Sequence, residues 1–350
     1  MVLGQRLWRL LVILSVAVAS GASAAQGTSA PDLQAVVAWS SQRYQAMEQL
    51  AFLSLRTQAA LQVAAGASDR SDLSEEELAS INEVLADLHA SRALLNDRFE
   101  ALPAPPQLED GDLARRLSEG VPIVEEAWAS GLAQYDAVID WLEAFRNGDD
   151  PPAEELQLVL VNSQITYLEA TVALFEATGS EDYTNPATLD ALQRTATHWA
   201  QRMVLVLYRA DLTGEWTERL AADAETEFDV VRQAVEFTTS EIDLRAANSV
   251  AALDQAISSD PTLTSAHRAY RDKVAEIMET YDVVAPAGES LIVALDEFSA
   301  SYGIAESRMQ RMAFIEVFLA RVSESSTRLN EARSRRNQLT REAASLYNEL

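Results

Sequence analysis

The side chains with the chemistry to bind or catalyse are few and widely spaced. Histidine occurs at His89, His198 and His267 only, and cysteine is absent. None of the histidines stands in an H-E-x-x-H pair, and none has a glutamate three residues before it. A helical di-iron or zinc site needs its ligands one turn apart on one face, so this spacing supplies neither. The missing cysteines remove disulfides, thiolate metal sites, attached haem and thiol catalysis. Nucleophile-elbow and phosphate-cradling glycine motifs are also absent. The acidic segments Glu109–Asp112 and Ser180–Asn185 lack the alternating ligands of a calcium loop, so both are expected to be solvated turns. No catalytic residue, metal site or cofactor is therefore assigned.

One set of polar side chains has a spacing that could make a binding site. His198, Arg202 and Arg209, with Leu205, recur on one face of an expected helix, and Glu169 and Asn162 interrupt an unusually apolar helix before it. If these faces meet, His198, Arg202 and Glu169 form a polar cluster. Such a cluster either binds an anionic small molecule or fixes the register of packed helices.

The elements that would carry these residues are helical throughout. Ser74 and Glu77 form a capping-box pair opening a helix that ends before Pro103. A helix from Pro122 to Phe145 follows, with Trp128, Leu132, Tyr135, Ile139 and Leu142 on its core face and Asp136, Asp140 and Glu143 on the solvent side. A short helix is expected ahead of it. The apolar helix opens after Pro151 and Pro152, and the next at Asn185 and Pro186, where an N-cap is followed by a proline that needs no hydrogen-bonded N–H. Residues 215–260 contain neither glycine nor proline and form one helix or two, with a restart at Thr238 and Thr239. Asp260 and Pro261 begin another helix that ends near Pro286, and a further one reaches Tyr302. An initial helix is expected over Asp32–Ala65.

Residues 304–350 form a long C-terminal helix with Met312, Ile315, Leu319, Val322, Ser326 and Leu329 in heptad-like order. Beyond them Ala332, Leu339, Leu346 and Leu350 continue a shifted stripe, interrupted by Arg333, Arg335 and Arg336, so its last turns are expected to be exposed. The fold class is all-α: an elongated antiparallel bundle of eight to ten helices. Its divisions are 26–180 and 181–350, either as two bundles sharing long helices or as one continuous domain.

Charge and the N-terminus bound the function. The 350 residues carry 54 acidic and 27 basic side chains, a formal charge of −27, which disfavours nucleic acid as a partner. Arg6 and Arg9 precede the apolar run Leu10–Ala19, and small residues follow to Ala25. That order is a secretory signal peptide over 1–25, cleaved after Ala24 or Ala25. The mature chain would then carry −29, split between −31 over Ala25–Ala305 and +2 over Glu306–Leu350. No later stretch has the length and hydropathy of a membrane span. Lys273 is the single lysine among the basic residues, a bias toward arginine that fits GC-rich bacterial coding and hence the periplasm.

These features lead to the expectation of an exported, non-enzymatic helical scaffold or protein-interaction module of the cell envelope. Its basic C-terminal helix would dock on the acidic body, self-associate or meet another envelope protein. The alternatives are a periplasmic small-molecule binding or sensory module using His198, Arg202 and Glu169, and a metal-dependent or hydrolytic enzyme whose site assembles only in three dimensions.

Overall fold

The computed structural model describes residues 74–108, 111–149, 153–178, 183–259 and 265–347, together with helical Ala35, Val36, Ala38, Trp39, Gln42, Arg43 and Ala46. The expected signal peptide, most of the Asp32–Ala65 helix and parts of both acidic turns lie outside these residues. Among those described the chain is all-α, with no strand. The helices are α1 (Glu75–Glu100), α2 (Asp112–Asn147), α3 (Ala153–Thr178), α4 (Pro186–Thr213), α5 (Glu218–Ser259), α6 (Ser265–Glu279), α7 (Val284–Tyr302) and α8 (Arg308–Tyr347).

Two compact units divide these helices. One holds α1, α2, α3 and the segment Tyr208–Glu215; the other holds α4 as far as Leu207 and the chain from Trp216 through α5–α8.

In the first unit, α1 begins at the expected capping box: Glu77 N–H donates to Ser74 Oγ at 3.2 Å, and Ser74 N–H donates to Glu77 Oε2 at 2.7 Å. These bonds satisfy N–H groups that a helix end otherwise leaves open. Ile81, Leu85, Leu88 and Leu95 are buried, and α1 packs on α2. Arg92 reaches Asp136 at 2.9 Å and His89 reaches Glu143 at 3.2 Å. Residue numbers rise on α1 as they fall on α2, so the pair is antiparallel, and Asp136 and Glu143, expected on the solvent side, sit at the solvent-facing rim of the contact. The separate short helix does not form. Instead α2 is continuous from Asp112 with Pro122 inside it, and it stops at Gly148, whose φ of 96° favours glycine. The broad apolar surface of α3, including Leu156, Val161, Ile165, Leu168 and Val172, is buried, and α3 packs along α2.

In the second unit, α5 runs unbroken for 42 residues through Thr238 and Thr239. Both hydroxyls turn back onto carbonyls of their own helix, Thr238 to Ala234 at 2.9 Å, so neither caps a new helix. The helix expected to end near Pro286 stops at Glu279, and α7 starts at Val284 with the proline in its first turn. Phe228 of α5, Phe298 and Tyr302 of α7 and Phe318 of α8 form an aromatic core with ring centroids 4.8–5.8 Å apart. Gly288 lets α4, α5 and α7 approach one another, since a Cβ there would lie 3.0 Å from Gln193 Oε1 and Val235 Cγ1.

The C-terminal helix is seated in this unit rather than projecting from it. Its buried positions are Ile315, Phe318, Val322, Ser325, Leu329, Arg336, Leu339 and Ala343. Half-buried Ala332 completes an alternation of three and four that never shifts. This is a heptad seam, facing α7 with its first half and α6 with its second. Ser325 Oγ meets Ser290 Oγ of α7 at 3.2 Å, and Lys273 of α6 pairs with Glu342 at 3.1 Å. The expected exposure of the last turns is corrected at Arg336, which is only 5% exposed. An arginine occupies a core position there because a carboxylate waits for it.

Candidate functional site

That carboxylate is Asp190, on the first turns of α4 and 1% exposed. Its Oδ2 accepts from Arg194 Nη2 at 2.5 Å, one turn along the same helix, and from Arg336 Nη1 at 2.8 Å. Arg336 also donates through Nε to Thr280 Oγ1 at 2.9 Å, and its guanidinium lies over the Tyr281 ring, 3.7 Å from the centroid. The residues between α6 and α7 thus supply both a polar and an aromatic contact. Leu189, Ile242, Ile277, Tyr281, Val284, Leu329 and Leu339 form the surrounding apolar shell.

Burial alone would disfavour each charge, raising the aspartate and lowering the arginine. Attraction between them wins. Arg194 and Arg336 hold the Asp190 carboxyl below its usual range, and Asp190 holds Arg336 above its own. Burial pushes the Tyr281 phenol up to about 12, so it stays neutral. An ion pair this deep gives little net stability compared with an apolar trio of the same volume, but losing one partner is costly. Its specific effect is on register, because moving α8 by one residue would bury Arg336 away from Asp190. Asp190 Oδ1 and the side-chain amide of Gln193, both enclosed, have no hydrogen-bond partner.

The expected site residues fall around this lock without joining it as a set. His198 is half-buried two turns further along α4, with Nδ1 enclosed. Burial first, then the charges of Arg194 and Arg333, push its pKa down to about 3, so it is a neutral imidazole. Arg202 lies with its guanidinium 4.9 Å from the Trp199 ring centroid, and Nη1 is 3.5 Å from Met203 Sδ. Glu169, on α3, belongs to the other unit, as does Arg209, whose Nη1 donates to Asn162 Oδ1 at 3.5 Å. Among the described residues no group of three or more His, Asp or Glu side chains has the arrangement to hold a metal ion.

Asp190, Arg194 and Arg336 were the residues that sequence reasoning missed. The i,i+4 spacing of Asp190 and Arg194 was visible, but Arg336 lies 146 residues away from its partner. The one local sign was an arginine standing at a core position of the heptad count. Comparison with known protein families, with curated proteins and with solved structures gave no match. No helix of the described residues is long and apolar enough to cross a membrane.

Proposed function

We propose that the protein is an exported, non-enzymatic helical scaffold of the cell envelope that acts through contacts with other proteins. The observation that carries this reading is the combination of a locked C-terminal helix with apolar side chains on its outer side. The inner face of α8 is fixed by the heptad seam and the Asp190–Arg336 pair. Met309, in its first turn, is 80% exposed, and Ile304, in the preceding turn, is 78% exposed. Val317 is exposed two turns beyond Met309, and Val293 is exposed on the neighbouring α7. Exposed aliphatic side chains on a rigid support lose little conformational entropy on contact and are suited to protein recognition. The signal-like segment 1–25 supports placing this contact outside the cytoplasm.

Site-specific photocrosslinking tests the proposal. A photoreactive residue at Met309, in a bacterial host that exports the chain, is expected to give a discrete heavier adduct. The same residue at exposed Gln338 on α8 should not. No adduct at position 309, or the same adducts at both positions, would overturn the reading.

A further inference from the structure

The first unit contains a buried cation, Arg43, that has no counter-ion in contact among the described residues. Arg43 is 7% exposed, yet no carboxylate among the described residues forms an ion pair with it. Its Nη2 donates to the carbonyl oxygen of Pro103 at 3.1 Å. The guanidinium carbon lies 4.4 Å from the Phe99 ring centroid and 5.7 Å from that of Trp39. Trp128 stacks on Phe99 with centroids 4.2 Å apart and planes within 9°. Exposed Glu125 contributes only a field at a distance, and burial outweighs it, drawing Arg43 below the ordinary arginine pKa.

The unsatisfied polar atoms here are of one kind. Arg43 Nε, Trp39 Nε1 and Trp128 Nε1 are all enclosed, all carry N–H, and none has a hydrogen-bond acceptor. Trp39 and Trp128 are themselves 4% and 3% exposed. Leaving donors and a cation enclosed in this way costs free energy unless an acceptor comes to them. A simple structural role would be met by a methionine or leucine, which fills the same space without the charge. The acceptor in place, Pro103 O, is neutral and sits on the irregular segment 101–108 that follows α1. A carboxylate would serve the same edge with a charge-assisted bond roughly twice as strong as a neutral one. Phe99 already carries Arg43 and Trp128 and holds the guanidinium in place, so the Trp39 ring would take an apolar or aromatic group attached to the carboxylate.

We infer that Arg43, with Trp39, Phe99 and Trp128, forms a binding site for a small monocarboxylate carrying an apolar or aromatic body. This site lies in a different unit from the contact surface proposed above and is independent of that reading. Its sequence signal is Trp39 followed by Arg43, one helical turn apart.

Isothermal titration of the full mature chain with phenylacetate, and with phenylacetamide as the neutral isostere, tests the inference. The acid is expected to bind at least tenfold more tightly than the amide, and Arg43→Met to abolish that preference. Should Arg43→Met fail to fold, the comparison of acid with amide on the unaltered chain still decides. Equal binding of the two, or no binding of either, would overturn the site. So would an acid preference that survives in a folded Arg43→Met variant.

Discussion

Replacing Asp190 by alanine should be among the most damaging single changes in the chain. The substitution leaves Arg194 and Arg336, 8% and 5% exposed, without the carboxylate that both of them bond. Breaking a buried pair from one side costs about 3–5 kcal/mol, because the remaining charge is stranded in an apolar shell. In a unit of this size each kcal/mol shifts the melting temperature by about 2–4 °C, so the expected fall is roughly 6–20 °C. Removing the other partner should cost less. In Arg336→Met the carboxylate keeps Arg194, and the loss is expected to be about 1–3 kcal/mol. The combined change Asp190→Leu, Arg194→Met and Arg336→Met removes every charge of the trio and should recover most of the stability. Urea denaturation followed by Trp fluorescence, with Trp199 and Trp216 reporting on this unit, measures all three. An Asp190→Ala variant within about 1 kcal/mol of the parent would refute the reasoning, as would an Arg336→Met variant less stable than Asp190→Ala.

Further outcomes follow from neighbouring groups. His198 is held neutral in the folded state down to about pH 3, whereas in the unfolded chain it takes a proton near 6.5. Stability should therefore fall as pH drops below 6.5, by at most about 2 kcal/mol at pH 5. His198→Asn should flatten that slope, which denaturation at a series of pH values will show. Gly288→Ala places a Cβ 3.0 Å from Val235 Cγ1 and 3.2 Å from Thr239 Cγ2, and should destabilise by about 1–3 kcal/mol in the same urea assay. If the proposed export holds, intact mass of the protein recovered outside the cytoplasm should give an N-terminus at Ala25 or Gln26; a chain beginning at Met1 would contradict the proposed cleavage.

Local chemistry made much of the fold legible. The Ser74–Glu77 box and the Asn185–Pro186 start of α4 each satisfy a helix end with neighbouring residues, so each is written in a few adjacent positions. Where local and tertiary preferences diverge, the sequence misleads. Pro122 can begin a helix, yet α2 carries it internally because the residues before it, including buried Leu113 and Leu117, continue the same core face. Thr238 and Thr239 resemble a restart only until their hydroxyls find carbonyls one turn back. The apparent shift in the α8 stripe came from counting Arg336 as polar and therefore outward. Its partner is distant in sequence, and no periodicity within α8 can reveal a carboxylate on α4. The candidate set built on His198 and Arg202 lies on the helix that carries the lock, two turns beyond Asp190 and Arg194.

The register of α8 against α7 is the claim on which the account most depends, and the absence of native cysteine makes it directly measurable. Ser290 and Ser325 have hydroxyls 3.2 Å apart across the α7–α8 contact, so Ser290→Cys with Ser325→Cys places two thiols within bonding reach. Mild oxidation followed by non-reducing electrophoresis and peptide mapping should find nearly all of this variant closed by an intramolecular disulfide. Ser290→Cys paired with Glu324→Cys, one residue off the seam and exposed, should remain reduced under the same conditions. Comparable closure of both pairs, or a reduced 290/325 pair, would contradict the seating of the C-terminal helix and with it the role of Asp190 and Arg336.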